Sequence, residues 1–115
     1  MNKIIVKENN NIIEITIKGD LNIHNIDPML NDYKHLLTKN PVIIGINCEN
    51  LDSVDSSGLG ALISMAKLAE KDNIDFYICE LNKKVSTLFD ISNLDKYFQV
   101  ISLNEFNNIC ETLNS

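Results

Sequence analysis

Pro41-Val42-Ile43-Ile44-Gly45-Ile46-Asn47 decides the fold. Successive side chains of a strand point to opposite faces, and here both faces are apolar. A half-solvated strand would alternate instead, so this one reads as central, covered on both sides, in a parallel or mixed sheet with helices packed on it. Such a sheet needs helical crossovers before and after, and both flanks of the segment supply them.

Upstream, Ile26, Met29, Leu30, Tyr33, Leu36 and Leu37 recur at helical spacing, with Asp27-Pro28 as a start signal and Lys39-Asn40-Pro41 as the stop. Before that helix, Ile13, Ile15 and Ile17 alternate with Glu14, Thr16 and Lys18, the pattern of a half-buried strand. Lys3 to Lys7 reads as its hairpin partner, joined through Glu8-Asn9-Asn10-Asn11, because asparagine tolerates the positive φ of tight turns.

Downstream, Leu59, Leu62, Ile63 and Ala66 mark a second helix ending near Asp72-Asn73, and Ile74 to Cys79 a further strand. Asn82 is placed to cap a short helix with Val85, Leu88 and Phe89 inward. Val100-Ile101 makes a short edge strand. Ser102-Leu103-Asn104-Glu105 has capping-box spacing and opens a last helix with Phe106, Ile109, Cys110 and Leu113 inward. The order β-β-α-β-α-β-α-β-α implies one α/β domain over residues 1–115. Its sheet is mixed, mostly parallel, with four to five strands and packed helices.

Composition narrows the function. The 115 residues carry a formal net charge of −6, with 44% hydrophobic and 23% charged residues. No basic stripe exists to neutralise phosphates, which argues against nucleic acid and against an anionic membrane surface. The apolar runs are too short for a membrane span, and no leader-like segment opens the chain. Three widely separated cysteines, Cys48, Cys79 and Cys110, without a C-x-x-C pair, suit small buried apolar roles in a reducing, cytoplasmic setting.

Between the central strand and the second helix lies Asp55-Ser56-Ser57-Gly58. In α/β sheets the working edge lies just past the carboxyl ends of parallel strands, so this tetrad is presented where partners bind. The simplest role for a serine there is to cap the helix, but capping accounts for one hydroxyl, not two, and leaves Gly58 and Gly60, which permit close approach of another chain, unexplained. A serine hydrolase needs a histidine and an acid in reach. The elbow G-x-S-x-G is half present, with Val54 at the first Gly, and His24 and His35 are the chain's two histidines. Gly58-Leu59-Gly60 lacks both the third glycine of a dinucleotide loop and the lysine of a P-loop. Asp20, Asp52 and Asp55 are acids that a cation could use, although solvated loop acids are the commoner case. The remaining reading makes a serine the substrate: a phosphoserine adds about −1.5 to −2 charges, which a helix N-terminus tolerates and a docked partner does not.

Asp55-Ser56-Ser57-Gly58-Leu59-Gly60 resembles the phosphorylation motif of the STAS domain in bacterial anti-sigma factor antagonists. The resemblance runs along most of the chain. Gly19-Asp20-Leu21 is similar to the family's Gly-acid-Leu turn, Asn50-Leu51-Asp52-Ser53-Val54 to its lead-in, and Leu88-Phe89-Asp90-Ile91-Ser92-Asn93-Leu94 to its Leu-Phe-Asp-x-Ser-Gly-Leu segment. Asn22 stands where the family commonly has Asp, so the loop Asn22-Ile23-His24-Asn25 is less acidic. Asn93 replaces a usual Gly and tolerates the same positive φ.

The resemblance implies partner switching in the bacterial cytoplasm. The unmodified antagonist binds an anti-sigma factor that is also a serine kinase, freeing the sigma factor. Phosphorylation of Ser56 dissolves the complex, and a serine phosphatase resets it. It also implies that Asp20, Asn22, His24, Asp55, Ser56, Ser57, Gly58 and Leu59 line the partner-binding surface, with Asp55 shaping the kinase contact and Ser57 capping the helix. No catalytic residue, cofactor or metal of the chain's own is implied. A second reading keeps the STAS module but assigns it to a lipid-transport or sensory complex in which Ser56 is never modified.

Overall fold

The computed structural model describes residues 2–114. Its elements run β1 (Asn2–Asn9), β2 (Ile12–Leu21), α1 (Ile26–Leu37), β3 (Ile43–Asn47), β4 (Leu51–Val54), α2 (Ser56–Lys71), β5 (Asp75–Cys79), α3 (Lys83–Ile91), β6 (Gln99–Ile101) and α4 (Leu103–Asn114), with a 3-10 turn at Leu94–Lys96. β1 and β2 form the hairpin, turning at Asn10 and Asn11, whose φ angles of 50° and 69° are those the asparagines were read to supply. The remaining pairings are parallel, giving the order β1-β2-β3-β5-β6 with β4 beside β2.

This is the mixed, mostly parallel α/β sheet implied by the sequence, extended by one strand. Leu51-Asp52-Ser53-Val54 has little strand propensity of its own, and only Leu51 is buried. It is a strand because β2, ten residues long, overruns β3 and offers its last residues as a template. β3 pairs along Ile12–Thr16 and β4 along Gly19–Leu21, the register shifting between Gly19 and Asp20. Gly19 sits at φ 92°, a conformation that a side chain would strain.

Ile13, Ile15 and Ile17 join Ile44, Ile46 and Ile78 in the main core under α1, α2 and α3. Tyr33 of α1 is buried there, and its hydroxyl donates to the Met65 carbonyl of α2 at 2.7 Å. Burial, with the Asp72 charge second, pushes that phenol's pKa up. In α2 the buried line is Gly58, Ala61, Leu62, Met65 and Ala69, while Leu59, Ile63 and Ala66 are half-buried. The buried line is turned from the Leu59-Leu62-Ile63-Ala66 stripe that spacing suggests and leaves Gly60, Ser64, Lys67 and Lys71 facing outward.

The opposite face carries a smaller cluster of Ile12, Ile43, Cys79 and Phe106. Gly45 explains the seat of Phe106: a Cβ at Gly45 would overlap the ring's Cζ and Cε1. Ile109 and Cys110 pack at the cluster's margin. Leu113, read from spacing as inward, is 54% exposed, because the last turn of α4 has passed beyond that small cluster.

The caps at two helices follow the sequence. Asn82 Oδ1 accepts from the Val85 N–H at 2.9 Å, and Ser102 Oγ accepts from the Glu105 N–H at 3.0 Å. Asn93 adopts φ 56°, as its place in the glycine slot requires. Helix α1 begins at Ile26, one residue before the Asp27-Pro28 signal, and Pro28 falls in its first turn, where no N–H is needed.

Cys48 and Cys79 are fully buried. Burial first, then Cys79 for Cys48 and Glu14 for Cys79, pushes each thiol up to about 12. Folded pKa values raised from 9.0 mean that the stability linked to these neutral thiols is complete below pH 9.0 and lost as pH rises through about 12. A thiol-specific aromatic disulfide at about pH 8 should therefore modify at most Cys110 in the folded protein, and all three cysteines in denaturant. Rapid labelling of Cys48 or Cys79 without denaturant would contradict this packing.

Candidate functional site

Ser56 is the first residue of α2, directly after β4 has carried the chain to the carboxyl edge of the sheet. Asp55 immediately before it is the N-cap. Its Oδ1 accepts from the Gly58 N–H at 2.8 Å, and its Oδ2 accepts from the Ile23 N–H, 32 residues away, at 3.3 Å. One carboxylate thus closes the helix start and ties down the loop after β2. The capping role expected of Ser57 falls to Asp55. A carboxylate has two acceptor oxygens for these two separated donors, whereas the Ser57 hydroxyl two residues later has a single oxygen and sits inside the first turn.

The serines are left uncommitted. Neither the Ser56 nor the Ser57 hydroxyl bonds to a described residue, and Ser56 is exposed while Ser57 is half-buried. The Ser56 and Ser57 backbone N–H groups also lack partners among the described residues, since the first intrahelical bond is Leu59 N–H to the Asp55 carbonyl at 2.9 Å. Two open donors at the positive end of a helix therefore flank an exposed hydroxyl. No histidine or carboxylate hydrogen-bonds to Ser56 Oγ among the described residues, so no nucleophile–base pair forms.

The loop from β2 to α1 is held by side chains of its own residues. Asn25 Oδ1 accepts from the Asn22 N–H at 2.9 Å, and its amide donates to the Asp20 carbonyl at 2.8 Å. Asn22 Oδ1 accepts from the His24 N–H at 2.9 Å. Asp20 Oδ1 accepts from the Ser53 hydroxyl at 2.6 Å, between register partners of β2 and β4. Asp20 and Asn22 therefore brace the surface as well as border it, while the His24 ring is exposed.

Gly58 corrects one expectation. It is buried, and a Cβ there would overlap the Leu21 carbonyl oxygen and crowd Val54 Cγ1. The close approach that it permits is between α2 and the end of β2 within the chain, not by another chain. Gly60, exposed with nothing within 4 Å of a built Cβ, is open to solvent. Leu59 is half-buried at the margin of the core.

The structure thus brings Asp20, Asn22, His24, Asp55, Ser56 and Ser57 to one edge, with Gly58 beneath them. Sequence reasoning places the loop Asn22-Ile23-His24-Asn25 on this surface without giving Asn25 or Ile23 a role, and misses Ser53. The spacing Asn22-x-x-Asn25 signals a side-chain-closed turn for Asn25. Ser53 and Ile23 carry no local signal, because their roles arise across the β2–β4 and loop–helix junctions. A groove of about 530 Å³ lined by Ile63, Ala66, Glu70, Phe76 and Tyr97 shares no residue with this edge. Among the described residues, no group of three His, Cys, Asp or Glu is arranged to hold a metal, and no helix is long and apolar enough to cross a membrane.

This small α/β module thus offers, at its sheet edge, an exposed serine whose hydroxyl has no partner among the described residues, on a polar surface braced by side-chain hydrogen bonds. The STAS domain model matches residues 3–114, and the chain belongs to that family. An anti-sigma-B factor antagonist of Bacillus subtilis is 25% identical over 100 residues, covering 87% of this chain and 91% of that protein. An anti-sigma F factor antagonist of Paenibacillus polymyxa is 26% identical over 110 residues, covering 95% and 93%. Among solved structures, the anti-sigma factor antagonist SpoIIAA in its unphosphorylated form superposes with a TM-score of 0.80 at 17% identity, over 96% of this chain and 97% of that one. The phosphorylated form of the Bacillus cell fate determinant SpoIIAA gives 0.73 at 16% identity, over 94% and 99%.

Proposed function

We propose that this chain is an anti-sigma factor antagonist whose docking surface is switched off by phosphorylation of Ser56. Its partner is an anti-sigma factor with serine kinase activity, met in the bacterial cytoplasm, and a serine phosphatase restores the unmodified state. The observation that carries this reading is the division of labour at the start of α2. Asp55 caps the helix, which leaves the Ser56 hydroxyl exposed and unbonded. Support also comes from relatives named as anti-sigma factor antagonists and from a neighbour of the same fold solved with and without phosphate.

The chemistry follows. Ser56 Oγ attacks the γ-phosphorus of ATP held by the kinase, the bond to ADP breaks, and the hydroxyl proton passes to a base of the kinase. The new phosphoserine, with about −1.5 to −2 charges, is favoured by the helix N-terminus but faces the remaining phosphates of the nucleotide across the interface. Like charges placed opposite each other in an interface cost several kcal/mol, enough to dissolve a complex whose fold is unaffected. Release of the kinase returns it to its sigma factor.

Incubation with ATP and each anti-sigma kinase encoded in the same genome tests the reading. The intact mass should rise by one phosphate, and Ser56→Ala should remove the gain while Ser57→Ala keeps it. If none of these kinases modifies the wild type, the switch fails and the chain is left as an interaction subunit of another assembly.

A further inference from the structure

Among the described residues, the non-glycine positions with positive φ are Asn10, Asn11, Asn40, Asn73, Asn93 and Glu80. Asparagine tolerates that region because its short amide can bond the nearby backbone, and glutamate has no such compensation. Glu80, at φ 57°, is the strained choice in a chain that otherwise fills these slots with asparagine. Strain of this kind persists where the surroundings fix the residue. Glu80 is fixed twice. Its N–H donates to the Ile101 carbonyl at 3.2 Å, and its Oε1 accepts from the Leu103 N–H, 23 residues away, at 2.7 Å. The second bond satisfies an open donor at the start of α4. Asparagine would suit the backbone there, but its side chain is one carbon shorter.

Little else fastens α4. The buried residues of α1, α2 and α3 belong to the main core, on the other face of the sheet. Of the described α4 residues only Phe106 is buried, seated over Gly45 beside Ile12, Ile43 and Cys79. Ile109 and Cys110 are half-buried, and Leu113 is exposed. A hollow of about 150 Å³ separates Asn107 and Cys110 of α4 from Ile12 and Glu14 of β2.

We propose that α4 is a lid that opens by itself from the folded domain, and that the Glu80 carboxylate is its latch. An element with few buried apolar contacts opens well before the whole domain unfolds. Opening breaks the bond to Leu103, lifts Phe106 from Gly45 and bares Ile12, Ile43 and Cys79. The main core stays closed, and so does the Ser56 edge, which β2, β4 and α2 carry. Two cysteines report these layers separately. Cys79 lies under α4 and Cys48 in the main core, and both are fully buried.

The test is slow alkylation by N-ethylmaleimide in native buffer, followed over hours and located by peptide mass, in a Cys110→Ser background. Cys79 should react roughly tenfold or more faster than Cys48. Its rate should change little in dilute urea, whereas that of Cys48 climbs steeply, because only the second needs the whole domain to unfold. Amide hydrogen exchange of the wild type should show α4 exchanging ahead of α2. Glu80→Asn removes the latch and suits the backbone. It should speed Cys79 roughly tenfold without speeding Cys48, while Glu80→Gln, which keeps an acceptor oxygen at the same reach, stays within about threefold. Equal rates for Cys79 and Cys48 with the same urea dependence overturn the lid. A Cys79 rate unchanged by Glu80→Asn overturns the latch.

Discussion

Ser56→Asp should fold as the wild type does and lose its partner. The added carboxylate stands at the first position of α2, beside two free N–H groups, where a negative charge stabilises a helix by about 0.3–1 kcal/mol. Repulsion from the neighbouring Asp55 offsets part of that, so the net change in unfolding free energy should stay within about 1 kcal/mol. Binding is another matter. Several kcal/mol of like-charge juxtaposition corresponds to a loss of affinity of roughly a hundredfold or more. Thermal unfolding and titration against the anti-sigma kinase, on the same preparation, separate the two quantities. A comparable fall in both would make Ser56 a structural residue and remove the basis of the switch.

Gly58→Ala should have the opposite signature, a large loss of stability. The added methyl meets the Leu21 carbonyl oxygen, a backbone atom at the end of β2 that cannot rotate away, as well as Val54 Cγ1. Relief requires α2 to lift from the β2–β4 junction, which would stretch the Asp55 bonds to Gly58 and Ile23. A penalty of about 3 kcal/mol, the upper end for overpacking, is expected, or a Tm lowered by roughly 10 °C. Gly60→Ala is the control. It adds the same methyl two residues further along the helix, into open space, and should stabilise by about 0.5–1 kcal/mol through helix propensity. If both substitutions behaved alike, the tight contact beneath the site would not exist.

These contrasts also show what the sequence could tell and what it could not. Patterns with one physical cause were legible: the doubly apolar β3, the alternation in β2, the asparagine turn at Asn10-Asn11 and the Asn82 cap. Features requiring two distant segments were not. β4 exists because β2 overruns β3 by several residues, a fact about lengths in three dimensions. Asp55, Ser56 and Ser57 are all competent caps, and choosing among them requires knowing that Ile23 lies within reach of the Asp55 carboxylate. Gly58 looked permissive toward an outside chain because its actual neighbour, Leu21, stands 37 positions earlier in the sequence. The sequence places the tetrad at the carboxyl edge of the sheet, where the structure has it, but does not say which of its side chains caps the helix.

β2 itself has a wider consequence. Its first half is clamped between β1 and β3, whereas Asp20 and Leu21 project past both and, among the described residues, are matched by the short β4 alone. The strand behaves like a beam with an overhang: the supported part carries the load of the domain and the free end carries the proposed docking surface. The exposed side chains mounted on that end, such as those of Ile23, His24 and Ser56, can change without disturbing the ladder beneath, whereas Gly58 and Asp55 cannot. A lineage could retarget such a module by editing the overhang while its foundation stays as it is.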